Sequence, residues 1–213
     1  MRIFSSFVII CLCVLSGCGP KIYKSNEFET ALARHKTVAI LPSDVSTRLR
    51  PNEFKRITQE QLDDINEKTG LAIQDKMYSW FLRRSDQRNY TVSFQDVTRT
   101  NALLKQAGME YEDLATKDRT ELAQLLGVDA VLQNRTTMDK PMSDVAAVAV
   151  GVVFGVWGNT NNVQTTINIH DGDSGSLLWK YDYQASGSLG SSAERLVNGL
   201  MRNASKKFPY TAK

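Results

Sequence analysis

The sequence predicts an α/β chain of the α+β kind, a mixed sheet with helices packed on one face. Three observations predict it. Thr37-Val38-Ala39-Ile40-Leu41-Pro42 is a compact apolar run ended by proline; residues 163 to 170 alternate apolar with polar side chains; and the stretches between and beyond them carry apolar residues at helical spacing.

Taken in order, residues 19 to 35 are polar, with Pro20 and scattered lysines, and read as a short tether with one helical turn near Phe28 to Ala33. Thr37 to Leu41 reads as a buried strand. Pro51 begins a long helical stretch to about Arg84, in which Phe54, Ile57, Leu62, Ile65, Ile73, Met77 and Trp80 recur near helical periodicity, with Gly70 a place for it to bend. Tyr90 to Phe94 alternates as a short strand. Asp96 is placed to cap a helix carrying Ala102, Leu103, Leu104 and Ala107, which Gly108 stops. A further helix from about Thr116 to Leu126 ends at Gly127 in a left-handed cap, so that Val128 to Val131 enters the sheet at once and runs on through Gln133 to Thr137.

Later in the chain, Val163, Thr165, Ile167 and Ile169 share one face of a strand, and Gln164, Thr166, Asn168 and His170 share the other. Asp171-Gly172-Asp173-Ser174-Gly175 makes a tight turn, and Ser176 to Tyr183 returns as the second arm of a hairpin. Ser191 or Ser192 opens a final helix through Leu196, Leu200 and Ala204 to Pro209.

The start of the chain follows another plan. Arg2 supplies a positive charge, and the apolar run from Ile3 to Val14, interrupted by Ser5 and Ser6, is too short to span a bilayer. It ends in Leu15-Ser16-Gly17-Cys18, which resembles the lipobox of bacterial lipoproteins: a small residue before cysteine admits the signal peptidase, and the thiol receives diacylglycerol. The competing reading, a buried apolar N-terminal helix with an incidental cysteine, leaves that match at its proper depth unexplained.

The resemblance implies cleavage before Cys18 and a covalent lipid on Cys18, with no other cofactor. Several acyl chains on one residue anchor firmly, since each buried methylene contributes about 0.8 kcal/mol. Cys11 and Cys13 leave with the leader, so the mature chain has no disulfide and its one thiol is acylated. Gly19 stands where an aspartate would hold such a lipoprotein in the inner membrane, which favours the outer membrane, facing the periplasm. The expected plan is therefore a signal peptide at 1–17, lipidated Cys18 and tether at 18–35, and one globular domain at 36–210 with an apolar insertion at 141–160.

Charge excludes little and motifs exclude more. Without residues 1 to 17 the chain has 25 Lys and Arg against 23 Asp and Glu. There is no basic run, zinc spacing or aromatic-basic interleaving, so no nucleic-acid partner is expected. No phosphate-binding glycine loop appears. Gly172-Asp173-Ser174-Gly175 copies the nucleophile motif of chymotrypsin-like serine proteases, but that chemistry needs a histidine to take the serine proton and an acid to orient it. Of the two histidines, His35 falls in the tether region and His170 stands four residues from Ser174, an ordinary polar residue on a strand face. A calcium loop at Asp171 and Asp173 lacks the closing glutamate and the other oxygen ligands. The expectation is a protein that is not an enzyme.

Four pieces carry a wider resemblance: Val38-Ala39-Ile40-Leu41-Pro42; Leu126-Gly127-Val128-Asp129-Ala130-Val131-Leu132; Ile169-His170-Asp171 through Gly175-Ser176-Leu177-Leu178-Trp179; and Phe208-Pro209-Tyr210. Their order resembles the family that includes the curli-secretion lipoprotein CsgG, the TolB amino-terminal domain and the penicillin-binding-protein activator lipoproteins. This implies an anticodon-binding-domain-like fold, no catalysis, and work in the cell envelope through protein contacts. The second apolar insertion with which the curli channel builds its barrel is missing.

Val145 to Trp157 is the anomaly, thirteen residues drawn only from Val, Ala, Gly, Phe and Trp. As a helix it would rise about 20 Å against a hydrocarbon core of about 30 Å, and as a strand it would reach about 43 Å. Gly151 and Gly155 suit close helix packing, while a strand would put Val148, Val150, Val152, Phe154 and Val156 on one face and Trp157 on the other. Buried core, a surface for self-association or an envelope protein partner, and membrane insertion with Trp157 at the interface all remain open. Val148, Val150, Val152, Phe154, Val156 and Trp157 are the candidate contact residues. The reading is a noncatalytic scaffold or accessory of envelope assembly or secretion; the alternative is an oligomeric, pore-associated outer-membrane component that inserts residues 145–157.

Overall fold

The computed structural model describes residues 21–49, 51–55, 57–139, 162–186 and 193–211. In chain order these form β1 (Lys21–Lys24), α1 (Phe28–Arg34), β2 (Thr37–Ile40), β3 (Asp44–Arg48), α2 (Pro51–Phe54), α3 (Gln59–Arg88), β4 (Ser93–Phe94), α4 (Val97–Gln106), a 3-10 turn (Glu112–Ala115), α5 (Arg119–Leu126), β5 (Ala130–Asp139), β6 (Asn162–Asp171), β7 (Leu177–Ser186) and α6 (Ala193–Lys207). The strands join in one mixed sheet in the order β1-β7-β6-β5-β2-β4, with β3 also paired to β5. The expected mixed α+β architecture is present.

The central strand is β5. Its antiparallel ladder with β6 runs unbroken from Ala130 opposite Asp171 to Asp139 opposite Asn162. On its other side β2 and β3 follow one another, both parallel to it. Pro42 has no N–H to donate, so the ladder lapses after the Leu41 N–H reaches the Leu132 carbonyl at 2.9 Å, and it resumes at Asp44.

The helices lie on both faces rather than one. Val38 and Ile40 of β2, with Ala130 and Leu132 of β5, pack into a core with Ile73, Met77 and Phe81 of α3 and Leu200, Met201 and Ala204 of α6. Their alternates Ala39, Leu41 and Val131 point the other way, into a smaller core with Leu104 of α4 and Leu122, Ala123 and Leu126 of α5. A strand apolar on both faces requires cover on both.

The predicted helix from Pro51 is divided. Thr58 starts α3 as a reciprocal capping box: its hydroxyl accepts from the Gln61 N–H at 3.2 Å, and the Gln61 side chain accepts from the Thr58 N–H at 3.0 Å. Gly70 serves close approach, since a Cβ there would overlap the Ser43 carbonyl and the Tyr111 ring. Asp96 and Asp118 cap α4 and α5, and Gly127 ends α5 at φ 65°.

The stretch read as a tether is largely built into the fold. Lys21 to Lys24 pair antiparallel with Asp182 to Trp179 of β7. Phe28 and Ala31 of α1 are buried, and so is His35. At the far end of the chain Phe208 seats its ring 4.5 Å from Phe81, centroid to centroid, and 5.1 Å from Tyr90. Among the described residues no helix is long and apolar enough to cross a membrane.

Candidate functional site

Every site residue expected from the sequence lies outside the described residues: Cys18, and the contact candidates Val148, Val150, Val152, Phe154, Val156 and Trp157. The described residues hold two other features with the chemistry of a site, a buried polar network and a cleft.

The network closes one end of the sheet. Asp171 ends β6 with its side chain 3% exposed. Its Oδ1 accepts from Arg34 at 2.8 Å and pairs with His35 Nε2 at 2.8 Å, while its Oδ2 accepts from the Ser174 N–H at 3.0 Å and the Ser174 hydroxyl at 2.8 Å. His35 Nδ1 meets the Tyr210 hydroxyl at 2.6 Å. The tautomer with the proton on Nε2 satisfies every partner: Nε2–H donates to Asp171, and Nδ1 accepts from the phenol.

Burial alone would push the Asp171 carboxyl up, but the bonds from His35, Arg34 and Ser174 outweigh it and hold the group well below the usual carboxylate range. Burial, with the charges of Asp171 and Asp129 behind it, raises the Tyr210 phenol far above its ordinary value, so it stays protonated as a donor. Asp129 sits beside this network; its Oδ2 accepts from the Lys36 and Thr37 N–H groups, each at 2.8 Å, which orders the entry to β2.

Serine, aspartate and histidine thus meet here, through the residue the sequence reading placed in the tether. The order is wrong for a nucleophile. Ser174 gives its proton to a carboxylate, and both nitrogens of His35 are engaged elsewhere in a buried ring. The arrangement is a clasp that ties the end of α1, the β6–β7 turn and the C-terminal segment together. His170 is half-buried, with Nδ1 3.2 Å from the Gly175 carbonyl, and burial lowers its pKa.

The cleft, about 230 Å³, lies where the ladder lapses around Pro42. Leu41, Gln133, Tyr111, Leu114 and Asn66 line it together with the acidic Asp44, Asp63 and Glu112. The Tyr111 hydroxyl accepts from the Val45 N–H at 3.0 Å and donates to the Ser43 carbonyl. Burial pushes its pKa up to about 12. Asp44 is already paired with Arg135 at 2.6 Å. Among the described residues no group of three His, Cys, Asp or Glu side chains is placed to hold a metal.

Arg34 and His35 as partners of Asp171, and Tyr210 as the partner of His35, were not foreseen from the sequence. Only the burial expected of a histidine and a tyrosine flanking apolar segments hinted at them; His35 is 136 residues from Asp171 and 175 from Tyr210.

No protein-family model and no curated protein sequence matches the chain. Solved structures of similar outline include the lipoprotein GNA1162 from Neisseria meningitidis, 15% identical, covering 81% of this chain and 96% of that one at a TM-score of 0.46. Others are the PelC dodecamer from Paraburkholderia phytofirmans, 13% identical over 92% and 98% at 0.45, and the LpoB C-terminal domain from Escherichia coli, 10% identical over 75% and 96% at 0.37. With TM-scores below 0.5 these likenesses assign neither a family nor a role.

Proposed function

We propose that the chain is a noncatalytic lipoprotein of the bacterial cell envelope, anchored through acyl chains on Cys18 and acting as a scaffold or accessory in envelope assembly or secretion through protein contacts. The observation that carries this reading is Leu15-Ser16-Gly17-Cys18 at the end of a short apolar leader. The outer membrane, with the domain in the periplasm, is its proposed address, from the resemblance at Gly19. The geometry at Asp171 supports a structural use of its polar groups, because Ser174, which meets a histidine and an acid there, is bonded in the wrong order for attack.

The apolar residues 145 to 157 are the proposed contact element. A polar domain that keeps thirteen consecutive residues without a polar side chain reserves them for burial against something. That same run supports the second reading, a pore-associated oligomer that inserts the segment in the outer membrane. Size after detergent extraction separates the two, since a large ring favours the second and a monomer the first.

The test of the anchor is Cys18→Ala, expected to abolish palmitate labelling and to release the protein from the membrane fraction; unaltered labelling and fractionation would overturn the reading. Val152→Lys is expected to impair assembly or crosslinking to a partner while leaving export intact. Normal assembly and crosslinking in that variant would reject the contact assignment.

A further inference from the structure

The pairing of β1 shortens the tether to two residues. Gly19 and Pro20 alone stand between Cys18 and Lys21, and a chain of that length keeps the Lys21 Cα within about 10 Å of the Cys18 Cα. The sheet is wider than that: from β1 to β4 its order includes five inter-strand steps, about 24 Å at ordinary strand spacing. An anchor so close to one edge sets which part of the domain meets the bilayer.

The register places β1 along the sheet. Lys21 lies opposite Asp182, and through it on one rung with Thr166 and Arg135. β1 itself spans the rungs from Thr166 to Ile169 of β6, so Lys24 stands two residues short of the Asp171 rung and Lys21 five.

The surface of β1 suits lipid headgroups. Ile22 and Tyr23 are 43% and 50% exposed, two of the four large hydrophobics so placed among the described residues, and Lys21 and Lys24 flank them. Lys180 stands across from Tyr23 and Asp182 across from Lys21, the two joined at 3.1 Å. An aromatic ring between lysines is the composition of an interfacial anchor. A four-residue edge closed by lysines is a poor template for a second copy.

Resting on the reading of Cys18 as acylated, we infer that β1 is the bilayer-facing edge of the domain, with Tyr23 and the two lysines at the level of the headgroups. The domain is then docked on the surface rather than suspended from it.

The test uses the full lipoprotein in vesicles of phosphatidylethanolamine and phosphatidylglycerol. With Cys18 acylated the mature chain has no other thiol, so Tyr23→Cys and Gln124→Cys each offer one site for an environment-sensitive fluorophore. Gln124 is exposed on α5, next to Ala123, which packs with Val131 of β5, three strand steps in from β1. The expected result is severalfold stronger quenching at 23 than at 124 by a nitroxide carried at headgroup depth. Ile22→Cys repeats the measurement if Tyr23→Cys folds poorly.

Equal, weak quenching at both sites in palmitate-labelled protein would overturn the inference and leave the anchor standing. Shielding of 23 from aqueous iodide without lipid quenching would also overturn it, in favour of a second copy or a protein partner on the edge. Absence of palmitate would remove both the inference and the reading beneath it.

Discussion

Asp171→Asn is the most informative single change. The carboxylate accepts four hydrogen bonds, at 2.8, 2.8, 3.0 and 2.8 Å. The amide keeps one oxygen for Arg34 and His35 and turns an NH₂ toward the N–H and hydroxyl of Ser174, so the backbone bond is replaced by a donor facing a donor. Hydrogen bonds to a charged group contribute roughly 1.5–3 kcal/mol each. The Arg34 bond counts for little because that side chain is 49% exposed. A net loss of about 3 kcal/mol is expected, read as a lower urea midpoint at unchanged slope, with the buried Trp179 as the fluorescent reporter.

The pH dependence makes the test specific. The folded pKa of Asp171 is depressed, so its contribution is fully present above the unfolded value of about 3.9 and is lost as pH falls toward the folded one. The gap between the parent and Asp171→Asn is therefore constant from pH 7 to about 5 and narrows by roughly 1 kcal/mol at pH 3. A gap below about 0.5 kcal/mol at pH 7, or one that does not narrow in acid, would refute the account of the clasp.

Two further changes probe the frame around the sites. Gly70→Ala forces a methyl group against the Ser43 carbonyl and the Tyr111 ring, where β3 meets α3, and is expected to cost about 1–3 kcal/mol in thermal unfolding; an unchanged midpoint would show that the two elements part without penalty. Asp118→Ala removes the acceptor for the Thr120 and Glu121 N–H groups, 2.8 and 3.1 Å away, and should cost about 1 kcal/mol. Asp118→Asn should recover most of that loss, and equal losses in both would mean that the cap is not the cause.

Much of this molecule was legible because its rules act over a few residues. The alternation from Val163 to Ile169 yields buried side chains on one face of β6, as expected, and Asp96 and Gly127 mark helix ends through bonds to their own neighbours, while α5 starts at the Asp118 cap rather than near Thr116. The cover on both faces of the sheet was also written in Val38 to Leu41, a run apolar at every position, although the helix order alone suggested one face. Thr58 and Gln61 carried a capping signal that the long apolar periodicity around them concealed.

By itself, then, the sequence determined the sheet's long strands, most of the helix boundaries and the pattern on which the Cys18 reading rests, since each depends on side chains spaced within one turn or one pleat. Tertiary structure alone decided that Lys21 to Lys24 join the sheet. All four residues are exposed, so their place comes from backbone bonds to β7 that no side-chain pattern encodes. It alone also joined His35, Asp171 and Tyr210, because the loss of solvent by one ionised group is compensated by partners that chain folding, and not chain order, brings within hydrogen-bond distance.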